Sequence, residues 1–210
     1  MKYKVMIVED QTMPRELFEL RIQASEHFEV ALSVDNAALT DVYCLRFPVD
    51  LILMDVVTRG GESGLDAAER IKRAFPQIKI IIVTSMPECS YLSRAREIGV
   101  ESFWYKEEQR ESLLDVMERT MAGESVYPDA TPEMQLGLAS SYKFTDRELE
   151  VLREMTGGDT NQEIAERLHM SVATVKTHIL NMLEKTGFRN RTELAVRARE
   201  SGLVILTRKN

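Results

Sequence analysis

The chain has little cysteine, only Cys44 and Cys89 among 210 residues. Two thiols without paired spacing support neither a disulfide framework nor a zinc site. They read as small buried hydrophobes in a reducing cytoplasm. Long apolar runs are missing too, since none approaches the roughly 18 residues of a membrane span. The opening Met1-Lys-Tyr-Lys-Val-Met-Ile-Val-Glu-Asp10 has a short apolar run before two acids. That is too little for a signal-peptide core, so a cytoplasmic location is expected. Low-complexity segments and longer internal repeats are absent as well. Hydrophobic residues at 44% and charged residues at 29% describe a well-cored chain and exclude a disordered one. At roughly 150 residues per domain, the length allows one large domain or two small ones.

Charge is divided unevenly. Of 27 basic and 34 acidic residues, 12 and 10 lie from Lys143 onward, leaving 15 and 24 before it. The front is therefore strongly acidic and the back mildly basic. The basic residues concentrate late, at Arg167, Lys176, Lys185, Arg189, Arg191, Arg197, Arg199, Arg208 and Lys209. An acidic front suits a cation or regulator and a basic back suits a polyanion, although solvated helix surfaces carry similar charge.

The two parts also differ in rhythm. Lys4–Val8, Val30–Val34, Leu51–Met54, Ile78–Val83 and Ser102–Tyr105 are short apolar runs, as expected of parallel strands covered on both faces. Helical patterns separate them: one after Pro14 with Leu17, Leu20 and Ile22, then about 36–47, 65–75, 88–98 and 108–121. This alternation predicts an α/β, doubly wound, five-stranded parallel sheet of flavodoxin-like order over residues 1–122. From 123 to 142, Pro128, Pro132, Gly137 and a Ser-Ser pair suggest a linker with a helical turn or two after Thr131. Residues 143–210 predict a small all-α domain of four helices. Thr145…Glu148 and Thr160…Glu163 are capping boxes, and Ser171 and Asn190 are placed as further caps.

Ligands of such sheets sit beyond the carboxyl ends of the strands. There the sequence places Glu9 and Asp10 after the first strand, Asp55 after the third, Thr84 at the end of the fourth and Lys106 after the fifth. Two carboxylates about 4 Å apart repel by about 4 kcal/mol at an effective dielectric of 20, so three need a cation. Oxygen-only donors favour a hard ion such as Mg2+. With that ion and the Lys106 ammonium in place, the pocket suits a phosphoryl group, with Asp55 as the attacking carboxylate.

Glu9-Asp10, Asp55, Thr84 and Lys106, in this order and spacing, resemble the receiver domain of bacterial response regulators. The resemblance implies that Asp55 accepts a phosphoryl group from a phosphohistidine on a sensor histidine kinase. It implies Mg2+ held by Asp10, Asp55 and the Val57 carbonyl, with Glu9 acting mainly through water. Lys106 would hold the phosphoryl oxygens, Thr84 would move to bond them, and Phe103 would turn inward as Thr84 moves. Phe103 also reads as a plain core aromatic. Two departures stand out. The stretch Asp55-Val-Val-Thr-Arg-Gly-Gly-Glu-Ser-Gly64 lacks the usual Met-Pro pair and carries one extra residue, and Glu107 stands where a proline usually follows the lysine.

In the back part, Gln162–Leu168 and Val172–Lys185 are joined by His169-Met-Ser171, a helix-turn-helix length. Val175, Ile179, Met182 and Leu183 form a core stripe. The opposite face presents Lys176, Thr177, Leu180, Asn181 and Glu184. Lys176 suits guanine or phosphate, Asn181 adenine and Leu180 a thymine methyl in a major groove. Lys185, Arg189 and Arg191 suit phosphates, which position without specifying. The runs Phe144–Leu152, Thr160–Ala165, Thr174–His178 and Arg191–Leu194 closely resemble the LuxR-type helix-turn-helix. By that resemblance the last helix, about 191–201, supplies the contact of a DNA-bound homodimer, with Ala195 and Val196 as candidates.

A receiver joined to a LuxR-type domain resembles the NarL/FixJ class, so the expectation is a two-component transcription regulator rather than an enzyme. Two rivals are a receiver-fused DNA-binding protein that works without phosphorylation and a Mg2+-dependent phosphatase. A phosphatase of the haloacid-dehalogenase type needs a second acid where this chain has Val57.

Overall fold

A computed structural model describes residues 2–60, 62–87, 89–106 and 111–204. The chain forms two compact units that meet between Ala130 and Thr131. In the first unit five strands alternate with five helices: β1 (Tyr3–Val8), α1 (Thr12–Gln23), β2 (Phe28–Val34), α2 (Thr40–Arg46), β3 (Leu51–Met54), α3 (Gly64–Ala74), β4 (Lys79–Thr84), α4 (Cys89–Ile98), β5 (Ser102–Tyr105) and α5 (Leu113–Met121). The strands pair in parallel in the order β2-β1-β3-β4-β5, the expected doubly wound sheet. Every residue of β3 and β5 is buried. Helices on both faces leave no solvated side, which is why these strands read as continuous apolar runs. One side of the sheet packs Val5, Ile7, Leu53, Ile81 and Trp104 with Phe18 of α1 and Val116 of α5. Helix α2 begins later than its hydrophobic pattern suggests, because residues 35–39 form a loop.

The stretch 123–142 is not a free linker. Its first residues lie along the edge of β5. Ser125 Oγ donates to the Glu101 carbonyl at 2.7 Å, Val126 N–H to Ser102 Oγ at 3.1 Å, and Phe103 N–H to the Val126 carbonyl at 2.8 Å. The Tyr127 hydroxyl donates to the Val100 carbonyl at 2.8 Å, and the Arg96 guanidinium sits 4.6 Å above its ring. These bonds occupy a sheet edge that would otherwise be open to another strand.

The second unit begins with a feature the spacing did not predict. In place of helical turns after Thr131, β6 (Gln135–Leu136) and β7 (Ala139–Ser140) form an antiparallel hairpin, followed by a 3-10 turn at Ser141–Lys143. Gly137 supplies the positive φ of 63° at the first central residue of a two-residue turn. A Cβ there would lie 2.2 Å from the Thr186 carbonyl oxygen, so only glycine fits. Four helices follow as expected: α6 (Asp146–Thr156), α7 (Asn161–Arg167), α8 (Val172–Thr186) and α9 (Arg191–Ser201). Thr145, Thr160, Ser171 and Asn190 each accept a backbone N–H at the first turn, and both capping boxes are complete. Each cap is worth about 1 kcal/mol. Val151, Leu152, Ile164, Val175, Met182, Leu194 and Ala198 close the core between the helices.

Candidate functional site

The pocket is built by strand ends. Val8 of β1 and Met54 of β3 are register partners, and Asp55 N–H donates to the Val8 carbonyl at 2.9 Å. Glu9, Asp10 and Asp55 therefore leave adjacent strands at the same level. One carboxylate oxygen of each lies within 4.8 Å of the others. On the neighbouring strands, Lys106 N–H donates to the Thr84 carbonyl at 3.0 Å, which sets the lysine beside the threonine. The Lys106 ammonium reaches across the sheet to Asp55 Oδ2 at 2.9 Å and Glu9 Oε2 at 2.5 Å. All five predicted polar residues thus occupy the carboxyl-terminal edge of the sheet, and the Lys106 ammonium bonds the Glu9 and Asp55 carboxylates directly. Thr84 is fully buried, and its Oγ1 accepts from Met86 N–H at 3.1 Å.

Electrostatically the pocket is unbalanced. Burial pushes the Asp55 carboxyl up to about 6; Lys106 pulls against that, while Glu9 adds to it. The Val57 backbone N–H also works to lower the carboxyl. Burial works to lower the Lys106 ammonium, but Asp55 and Glu9 outweigh it and hold it above its ordinary value. One ammonium among three carboxylates leaves excess negative charge in a largely buried place. The donors are all oxygen, so the site fits a hard divalent cation.

Phe103 is buried. Its ring centre lies 5.0 Å from that of Tyr105 and 6.2 Å from that of Tyr127, so it already points inward. The loop after Asp55 closes through an isolated bridge between Val57 and Ser63. Gly64 follows, where a Cβ would lie 1.9 Å from the Asp55 carbonyl oxygen. Glu107, which replaces the usual proline, lies outside the described residues. Arg15 donates to the Glu9 carbonyl at 3.0 Å, a contact between β1 and α1 that strand-end reasoning does not find.

On α8, Val175, Ile179 and Met182 are buried. Lys176, Thr177, Leu180 and Asn181 are exposed, Leu180 at 59%. The predicted face is therefore presented. Arg189 is also exposed. Lys185 needs correction. Its ammonium bonds both oxygens of Glu148, at 2.8 and 2.6 Å, and the Lys143 carbonyl at 2.8 Å. Those bonds use its three donors, so it braces α8 against α6 instead of facing outward. Burial works to raise Glu148, but Lys185 and the Thr145 N–H overcome it and hold the carboxyl below its ordinary range. Arg191 likewise has internal partners, donating to Asn161 Oδ1 and the Asp159 carbonyl, both at 2.8 Å. On α9, Val196 is 49% exposed and Ala195 half-buried, beside buried Leu194 and Ala198.

A parallel sheet with an acidic carboxyl edge, followed by a helix-turn-helix, defines a DNA-binding two-component response regulator. Comparison with known proteins agrees. Residues 5–118 match the response regulator receiver domain, and residues 142–198 match the bacterial regulatory proteins of the luxR family. The response regulator protein VraR of Staphylococcus epidermidis is 33% identical over 211 residues, spanning 97% of this chain and 100% of that protein. VraR of Staphylococcus aureus is 32% identical over 209 residues, with the same shares. Among solved structures, RcsB of Salmonella enterica serovar Typhimurium, bound to promoter P1flhDC with the phosphomimetic BeF3-, aligns with TM-score 0.62 and 20% identity over 97% of this chain and 100% of that one. An RcsB-DNA complex aligns with TM-score 0.63 and 19% identity over 95% and 98%. These last two show the shared fold. The chain belongs to the response regulators that join a receiver to a LuxR-type DNA-binding domain. Among the described residues, no helix is long and apolar enough to cross a membrane.

Proposed function

We propose that Asp55 is the phosphoacceptor of a cytoplasmic transcription regulator, with the receiver ending near Ala130 and the DNA-binding unit beginning near Thr131. The observation that carries this reading is the Asp55 carboxylate, held at a strand end 2.9 Å from the Lys106 ammonium with Glu9 and Asp10 alongside. An Asp55 oxygen attacks the phosphorus of a phosphohistidine on a sensor histidine kinase. The phosphorus–nitrogen bond breaks, and the imidazole leaves with its electron pair and is protonated. Asp10, Asp55 and the Val57 carbonyl would hold Mg2+, with Glu9 acting mainly through water. The ion supplies positive charge to the phosphoryl oxygens. Lys106 meets one of those oxygens in place of one of its two present carboxylate partners. Thr84 releases Met86 N–H and turns its hydroxyl to another, and Phe103 packs into the space this movement leaves.

The acyl phosphate carries about two negative charges where the Asp55 carboxylate carried one, and favours one receiver conformation over the other. That state favours a homodimer on double-stranded DNA. Lys176, Thr177, Leu180 and Asn181 face base edges, Arg189 faces phosphate, and Val196 with Ala195 lies at the two-fold contact. Arg191 keeps its internal bonds while adding to the positive field. Half-sites are then expected about 10 bp apart, or a multiple of that. Sedimentation and DNA titration with and without acetyl phosphate and Mg2+ test this reading. It predicts a shift towards dimer and tighter DNA binding, both lost in Asp55→Asn. Equal binding in all samples contradicts it, and so does continuous release of phosphate from a phosphate ester.

A further inference from the structure

The loop after Asp55 has no proline to restrict it, yet it is fastened. Thr58 is 7% exposed, and its Oγ1 accepts the Ala37 N–H of the β2–α2 loop at 3.0 Å. The same hydroxyl points back at the Glu62 carbonyl, 3.4 Å away. Ala37 is itself fully buried, and its carbonyl accepts from the Thr40 hydroxyl at 2.7 Å. A second tie lies outside the first. Arg70 of α3 pairs with Glu62 and stands 3.7 Å from Asp41 of α2. Two loops from different strand ends are thus clasped by one buried hydroxyl and one guanidinium.

The clasp acts on one peptide group. The Val57 carbonyl and the Thr58 N–H share a rigid plane, so its orientation follows from the two flanking residues. Val57 is held by its bridge to Ser63 and by the Gly64 N–H, which donates to the Val56 carbonyl before it at 2.9 Å. Thr58 is held by Ala37. We infer that Thr58 is a positioning residue: by gripping the β2–α2 loop, it aims the Val57 carbonyl into the carboxylate pocket, with Arg70 as its outer support. This rests on the proposed cation-assisted phosphoryl site and adds residues that touch neither cation nor phosphoryl group. Valine at position 58 keeps the shape but leaves the buried Ala37 N–H without its acceptor, a loss that backbone movement relieves. Serine keeps the acceptor.

The test is calorimetric titration of the unphosphorylated full chain with Mg2+ alone, beside thermal melting of each variant. Thr58→Val should weaken Mg2+ binding by about 10-fold, as loss of an orienting group outside a ligand shell does. Thr58→Ser should bind as the parent does. Arg70→Met, on an outer helix face, should weaken binding by a smaller factor and keeps the test open if Thr58→Val fails to fold. Unchanged Mg2+ affinity in a folded Thr58→Val or Arg70→Met chain overturns the inference, and so does Thr58→Ser binding as weakly as Thr58→Val. A parent chain that binds no Mg2+ overturns the proposed site itself, so the two failures are distinguishable.

Discussion

Each unit contains a lysine turned inward onto buried carboxylate, and the two clusters behave in opposite ways. Lys185 meets one carboxylate, Glu148, which also accepts the Thr145 N–H at 2.8 Å. Lys106 must serve Glu9 and Asp55 together, with Asp10 a few ångströms away. Burial works to raise both Asp55 and Glu148, yet Asp55 ends up raised and Glu148 lowered. At Asp55 burial is the largest cause and Glu9 adds to it, so a shared Lys106 does not offset them; at Glu148 Lys185 and the Thr145 N–H together outweigh a smaller burial. A one-to-one pair with its remaining lone pairs bonded is a brace. An ammonium outnumbered by carboxylates is a site that still has charge to offer a ligand.

The sharpest way to break this comparison is to remove each lysine. Lys106→Met should slow phosphoryl uptake from acetyl phosphate by about a thousandfold, the upper range for losing one group that meets developing negative charge. Lys185→Met should leave that rate unchanged, as followed by intact mass over time. The carboxylates come next. Glu148→Ala leaves the half-buried Lys185 ammonium without its carboxylate and opens the Thr145 capping box, and should destabilise the helical unit by about 2 kcal/mol in urea unfolding. Glu9→Gln removes an attraction to Lys106 and a repulsion from Asp55, which oppose each other, and leaves Lys106 paired with Asp55. Its unfolding free energy, measured without divalent cation, should therefore change by no more than about 1 kcal/mol.

Acid sharpens the contrast further. The folded Glu148 carboxyl lies below its ordinary value of 4.5, so the folded state holds that proton less tightly than the unfolded chain. Its contribution is complete above the ordinary value and disappears as pH falls through the folded one. Urea midpoints of the helical unit should drop over this range in the parent and much less in Glu148→Gln. The smallest effect is on DNA. Arg189→Ala should lower the salt slope of duplex binding by about one, as for one lost phosphate contact. An equal loss of slope in Lys185→Met would return that residue to the phosphate-contacting set.

What the sequence revealed follows the same physics. The sheet was legible because strands covered on both faces are apolar throughout, so the polar residue ending each run stands out. That is how Glu9 and Lys106, 97 residues apart, could be assigned to one pocket. Helix starts in the second unit were legible because capping is local. Lys185 was not: its partner lies 37 residues earlier, and a lysine amid basic neighbours reads as a phosphate contact. The hairpin before α6 was hidden for a related reason. Its strands have two residues each, and the turn is held by Leu138 N–H on the Thr186 carbonyl at 2.9 Å, a contact made only in the folded unit. The grip of Thr58 on Ala37 is likewise a bond between loops, which leaves no periodic trace.

The central claim is tested most directly by locating the modified side chain. After treatment with acetyl phosphate and Mg2+, borohydride reduces an aspartyl phosphate to homoserine, which peptide mass mapping can place. The account predicts homoserine at position 55 in the parent chain and at no position in Asp55→Asn. Reduction at another aspartate, or none in a folded chain that binds Mg2+, would contradict it.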